Sequence, residues 1–177
     1  MAESFVNSLT RAAGIVTTIT GGSIGVTTNK ITGISTAGIG VSDLVDNTNY
    51  IAGTRVQSVG VTSIVVSRDS TNSAAATNQT LKFLGVTTAL TAADKSILIG
   101  GTFANNTNSS VNLTVETYDQ STAVGVAIAS KIPVPSGSSF VITDAGKTLL
   151  ETSDELRVYC DANDALDVTL GILKGVS

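Results

Sequence analysis

The sequence predicts an all-β protein, with a C-terminal antiparallel β-sandwich preceded by a small β-barrel-like module. Three observations carry that expectation. Apolar and polar side chains alternate over many short stretches, as in VNLTVETYD at Val111–Asp119. No stretch holds an apolar i, i+3, i+4, i+7 stripe through several turns without meeting Gly, Asn or a β-branched run. Thr, Ser, Val, Ile, Gly and Asn recur throughout, while aromatic residues make up 4% of the chain and tryptophan is absent, a mixture suited to short strands joined by tight turns.

Residues 1–14, MAESFVNSLTRAAG, read as an N-terminal arm in which a short helix around Glu3 to Ala13 is the one helical candidate. Residues 15–73 form the small β module. Its candidate strands are NKITGI, GTRVQSVG and TSIVVSR, separated by Gly, Asn, Asp and Ser clusters, with a turn near STAGIGVSDLV. The adjacent Ile64, Val65 and Val66 suggest a strand covered on both faces or turned at a bulge. The polar stretch DSTNSAAATNQT, Asp69 to Thr80, has no periodicity that would order it, so residues 74–80 are expected to be a linker, a flexible recognition loop being the functional alternative. Residues 81–177 then supply six strands at spacings of about ten residues: SILIGGTFAN, VNLTVETYD, VGVAIASKIPV, SSFVIT, ELRVYCDA and LDVTLGILKG, the pattern of an antiparallel sandwich. Val111, Leu113, Val115 and Thr117 point one way and should be core, as should Leu156, Val158 and Cys160 and, further on, Val168, Leu170 and Ile172. Pro133 and Pro135 cannot donate to a ladder and mark an edge or an exit from the sheet; plain protection from aggregation is the preferred reading, direction of any intermolecular strand pairing to the other edge the alternative.

Chemistry is excluded more readily than assigned. The chain has no histidine, the commonest general base and imidazole metal ligand near neutral pH. The net charge is -4 with 14% charged residues, a balance opposed to binding phosphate backbones, so nucleic acid is not expected as a partner. No segment is apolar enough to cross a bilayer as a helix, and the N-terminus lacks a signal-peptide pattern, so the expectation is a chain made in the cytoplasm with no membrane partner. The sequons at Asn78, Asn105, Asn108 and Asn112 would matter only in a secretory pathway. DANDALD at Asp161–Asp167 invites a calcium reading but departs from the EF-hand loop, with Leu166 where the turn glycine belongs and Ile172 where the bidentate glutamate belongs; an Asx-rich hairpin turn is preferred. ETSDE at Glu151–Glu155 reads as a solvated turn. No GxSxG elbow or SxxK motif accompanies the many hydroxyls, and TGGSIGV and GILKGVS match neither the dinucleotide fingerprint nor the phosphate loop. Cys160, the single cysteine, alternates onto the apolar face of its strand and is expected to be a buried, inert thiol. No cofactor, metal site or catalytic residue is expected, and the chain is read as a non-enzyme.

The opening MAESFVNSL and the stretch from SSVNLTVETYD to LGILKG resemble small virion structural proteins of tailed bacteriophages, notably phages of marine cyanobacteria. In that family a strand of the VDVTVTD kind leads to a PVPAGSSL segment and then to LEAGDxIxVxSSAxxxxDVxxSxLE; here Val111–Asp119, Pro133–Phe140 and Leu150–Leu173 correspond. The middle stretch from VSDLVDNTNYIAGT to VVSRDSTNSAA resembles a module of phage fibre and capsid-associated proteins, with a pattern near VGDxVxGxxIPAGTxVxSI…ITLSxxAT, from which it departs at Tyr50-Ile51-Ala52 and at Arg68-Asp69-Ser70. The middle module thereby reads as an insertion between the arm and the sandwich. The resemblance implies a virion location and a capsid decoration (cement) protein on the outside of the head, with a neck, collar or tail-fibre module as the alternative. The major capsid protein or neck and tail proteins would be its partners, alongside further copies of itself, a trimer being the homo-oligomer that suits a head lattice. Candidate contact residues are Glu3, Phe5, Val6 and Leu9, where apolar side chains on a terminal arm would dock on a neighbour, an arm folded onto its own core being the equal alternative. A carbohydrate-binding adhesin is the reading from another class, using loops Asp43–Asn49 and Asn105–Ser110 with Tyr50 and Phe103 as the nearest aromatic platforms.

Overall fold

The computed structural model describes residues Glu3 to Val176, and their side chains outside residues 144–147. Every regular element is a β-strand. The expected helix around Glu3 to Ala13 is instead strand β1 (Ser4–Ala13), paired antiparallel with the last strand, β14 (Leu166–Lys174), from Ser4↔Lys174 to Thr10↔Val168 in unbroken register. Its alternation decides the matter: Val6 turns inward among the core residues, and the Ser8 and Thr10 hydroxyls donate to the Ala89 carbonyl, at 2.9 and 3.4 Å, which a helix could not arrange along one strand face. Met1 and Ala2 of the arm lie outside the described residues.

The chain divides into two compact units. One comprises residues 1–14 and 87–177, the other Ile15–Val86. In the first, β1 and β14 are joined by β8 (Thr87–Thr91), β9 (Ser96–Asn105), β10 (Val111–Asp119), β11 (Val124–Val134), β12 (Ser139–Leu150) and β13 (Glu155–Cys160). They form two four-stranded sheets in the orders β1-β14-β9-β12 and β11-β10-β13-β8. Only the β10–β11 hairpin stays within a sheet; every other connection passes from one sheet to the other. Counted first to eighth along this unit, the orders are 1-8-3-6 and 5-4-7-2, the two interlocked Greek keys of a jelly roll. The inner faces share one apolar core that includes Leu98 and Phe103 of β9 and, as the alternation of β10, β13 and β14 selects, Leu113, Val115, Leu156, Val158, Leu170 and Ile172. Burial of each such side chain contributes about 1.5–3 kcal/mol. Pro133 lies in β11, an edge strand, where its missing amide costs no interior ladder bond.

The second unit holds a six-stranded sheet in the order β4-β7-β2-β3-β6-β5, built from β2 (Ile15–Ile24), β3 (Lys30–Thr32), β4 (Leu44–Asp46), β5 (Val56–Val59), β6 (Ser63–Val66) and β7 (Ala76–Gly85). The three strands expected here exist as β3, β5 and β6, and Ile64 and Val66 face its own core with Phe83, Leu81, Ile24 and Ile31. The sheet is curled but not a closed barrel: its two edges meet only at an isolated Leu44↔Arg55 bridge and neighbouring backbone hydrogen bonds such as Val45 N–H to Thr54 O at 2.8 Å. Residues 74–80 are not a linker. From Ala76 they are the first half of β7, held to β2 through Ile24↔Ala76 and Gly22↔Gln79, because a ladder bonds backbone to backbone and asks no apolar pattern of the side chains. Residues 81–85, expected in the sandwich, complete the same strand.

Gly14 links β1 to β2 at φ 126°, and a Cβ there would overlap the Ala162 carbonyl oxygen, so glycine is required. Its amide donates to the Thr87 hydroxyl at 3.3 Å. The residue before the second unit thus touches the residue after it. Replacing Ile15–Val86 by a short Gly-Ser bridge is expected to leave the eight-stranded unit folded, with a cooperative thermal transition and a β-type circular dichroism spectrum; a collapsed or aggregated product would show that the two cores depend on each other.

Candidate functional site

The residues expected to make contacts fall on two sides of one strand. Val6 is turned into the sandwich, whereas Phe5 and Leu9 point outward and are 78% and 75% exposed; Glu3, just ahead of β1, is exposed as well. Strand register carries the outward set across the sheet: Phe5 lies opposite Leu173, Leu173 opposite Ile97, and Ile97 opposite Leu149. This apolar row crosses all four strands of the β1-β14-β9-β12 sheet on the face away from the core. A second row runs Leu9, Thr169, Thr102, Val141. Between the rows, Gly171 faces Gly100, and Ile99 is looped out where the β14–β9 register shifts. Ile99, Val141 and Leu149 are 44%, 48% and 49% exposed. A contiguous apolar patch of about 300–600 Å² on a monomer commonly marks an interaction site, and this face is the candidate. Leu173, Ile97, Ile99, Val141 and Leu149 are absent from the sequence-based set. For Ile97, Ile99 and Leu149 the signal is the break in alternation in SILI and TLL, where apolar residues occupy both faces.

The outer face of the other sheet is built differently. Glu116 and Tyr159, which alternate away from the core sets of β10 and β13, are nonetheless fully buried, with the Tyr159 hydroxyl donating to Glu116 Oε1 at 3.1 Å. Gly125 makes room for that carboxylate, since a Cβ there would overlap it. Alongside, the Arg157 guanidinium lies 3.3 Å over the Tyr118 ring, with Nε 2.7 Å from Glu155 Oε2. The Lys131 amide donates to the Thr114 hydroxyl at 3.0 Å where β11 bulges. These groups are paired with one another and organise the sheet.

The acidic groups are likewise engaged. Asp161 accepts from the Asn112 amide and side chain, both at 2.7 Å; Asp167 accepts from the Ala12 amide at 3.0 Å; and Asp164 adopts φ 52° in the turn. The Asp161 and Asp167 carboxylates thus tie the turn to distant strands rather than closing Asx turns of its own, and no cluster of three or more metal-ligating side chains occurs among the described residues. A groove of about 440 Å³ near the edges of β11 and β12 is lined by Thr117, Asp119, Thr122, Val124, Val126, Leu149, Leu150 and Asp154. Its two carboxylates are occupied: Asp119 by Ser121 and Thr122 of its own loop, Asp154 by the Glu151 amide of its own loop and the Gln120 amide of the β10–β11 loop. Cys160 is buried, and burial pushes its thiol up from the ordinary value, away from the reactive thiolate.

Neither adhesin loop presents its aromatic ring. Tyr50 is 6% exposed, its hydroxyl donates to Thr28 O at 3.4 Å, and burial followed by the Asp69 charge pushes the phenol up to about 12. Phe103 is fully buried against Phe140, ring centroids 6.2 Å apart. Asp43 of the first loop is buried, accepts from the Gly40 amide at 2.7 Å, and has its pKa raised by that burial. Asn105 of the second is 2% exposed and bonded to Ser109, Val134 and Thr107, so its sequon is spent on the loop.

Comparison with known proteins leaves the class at the fold. No protein-family model matches the chain and no curated protein is similar to it. A solved structure described as the crystal structure of the STIV MCP is similar at 10% identity and a TM-score of 0.27, over 98% of this chain and 91% of that one, a score too low to bear on function. Jelly rolls serve viral capsid, lectin and cupin domains alike.

Two outcomes follow from these groups. Hydrogen bonds from Ser121 first, then Thr122, hold the Asp119 pKa at about 2. A depressed carboxylate stabilises the fold above its unfolded value near 4, and that contribution is lost as pH falls through about 2. Titration of Asp119 by carbon NMR should therefore give a midpoint near 2, moving upward in a Ser121→Ala, Thr122→Val variant. Gly125→Ala should destabilise the sandwich by about 1–3 kcal/mol through overpacking, with part of the loss recovered when Glu116→Ala is added; strictly additive losses by chemical denaturation would refute the spatial conflict.

Proposed function

We propose that the chain is a non-enzymatic virion structural protein, a decoration protein that binds the outside of a phage head and stabilises it. The apolar row Phe5, Leu173, Ile97, Leu149 on the outer sheet face is the observation that carries the reading: it offers area and no chemistry, on a chain without histidine. The resemblance of Val111–Asp119, Pro133–Phe140 and Leu150–Leu173 to phage virion proteins supplies the setting. Weak contacts by such a face become strong when repeated on a symmetric lattice. The major capsid protein is the partner this reading assigns. A collar or tail-fibre module is the second reading on the same resemblance. The adhesin reading is weaker, because Tyr50 and Phe103 are core residues.

Binding of the purified protein to heads stripped of it tests the proposal. Saturation at on the order of hundreds of copies per head, with bound heads surviving heating better and Leu149→Asp abolishing both effects, is the expected result. Absence of binding to heads, with about a dozen copies at the head-to-tail junction of whole particles, would move the protein to the neck or tail.

A further inference from the structure

We propose that β1 is a homotypic edge: two copies of the chain pair antiparallel through their β1 strands about a two-fold axis at Asn7, joining two four-stranded sheets into one of eight.

The first ground is the state of the edges. β1 ends its sheet, and from Ser4 to Thr10 its register with β14 is unbroken. The other edges of the sandwich are interrupted: β12 shifts register between Thr143 and Thr148, β11 at two places, and β8 opposite Leu156/Arg157. Bulges of that kind blunt an edge against pairing. In the second unit β4 has three residues and β5 four, with a shift at Val56/Ser58. Among the described edge strands β1 presents the longest unbroken run, Ser4 to Thr10, its one register shift falling after it, between Thr10 and Ala13.

The second ground is that this side is complementary to itself. Antiparallel pairing centred on Asn7 sets Glu3 opposite Arg11, Phe5 opposite Leu9 and Asn7 opposite Asn7, each twice by symmetry where the pair is mixed. Apolar meets apolar and acid meets base, the pairs that stabilise facing strands. Slipping the register by two residues either way puts Arg11 against Phe5 or Glu3 against Leu9, so the sequence selects one alignment. Arg11, whose charge already acts on Asp167 of its own copy, then sits between two carboxylates. The occupant is a second copy because an unrelated strand would have no reason to carry this mirrored order. Pairing along the edge leaves the outer sheet face free, so it neither requires nor prevents head binding.

Sedimentation equilibrium of the purified full chain, without heads, tests this. A reversible dimer is expected. Glu3→Arg alone and Arg11→Glu alone should each weaken it about tenfold by placing like charges opposite one another, while the double exchange E3R/R11E should restore it, since the exchange recreates both pairs. Thermal unfolding of each variant checks that the fold is intact, and the rescue by the double exchange cannot come from a merely damaged monomer. A monomer at the highest attainable concentration, a trimer, or a dimer indifferent to both single variants would overturn the proposal.

Discussion

The constraint on which the sandwich depends is the pairing of the first strand with the last. β1 brings nothing but one face and one edge to the fold, yet its ladder with β14 fixes which side of the β1-β14-β9-β12 sheet looks inward. Since side chains alternate with a period of two, a slip of one residue would bury Phe5 and Leu9 and expel Val6. The core residues Val168, Leu170 and Ile172 on β14 oppose that slip, because they pin the neighbouring strand by their own burial. The apolar row on the outer face is the same register seen from the other side.

That pairing also explains how the chain carries a second unit. A strand is left, and the sandwich re-entered, at Gly14 and Thr87, which share a hydrogen bond. Closing a long loop costs entropy that grows slowly with length once its ends are fixed close together, and here the inserted residues build a core of their own around Phe83, Ile31 and Ile64. The insertion therefore repays its ordering locally and does not draw on the sandwich.

Much of this was legible in the residues. Six of the eight sandwich strands follow from alternation, and three of the inserted strands from turn chemistry around them. The failures share a cause. SFVNSLTRAA places apolar residues at spacings compatible with a helix as well as a strand, and only β14, far along the chain, decides between them. ATNQT looks like a linker because its side chains are polar, but β2 holds it through the backbone. Alternation turns Glu116 and Tyr159 away from the core, and only the fold shows that Gly125 gives them a covered place on the sheet's outer face. The contact row is the deepest case: Phe5, Leu173, Ile97 and Leu149 are scattered along the sequence and meet only through three registers, none of which a single strand encodes.

The distribution of polar chemistry points the same way as the apolar row. Glu116 accepts from a phenol and Asp167 from a backbone amide, and the loop acids Asp119, Asp154 and Asp161 spend their oxygens on amides and hydroxyls of neighbouring turns and strands. The outer face of the β1-β14-β9-β12 sheet, by contrast, keeps apolar side chains exposed, Phe5, Leu9, Ile99, Val141 and Leu149 among them. Bulges interrupt the sandwich's other edges, whereas β1 runs unbroken from Ser4 to Thr10 and shifts only beyond that, between Thr10 and Ala13. Edge protection is thus selective, and selectivity is intelligible when association in one direction is used and association in the others would be aggregation.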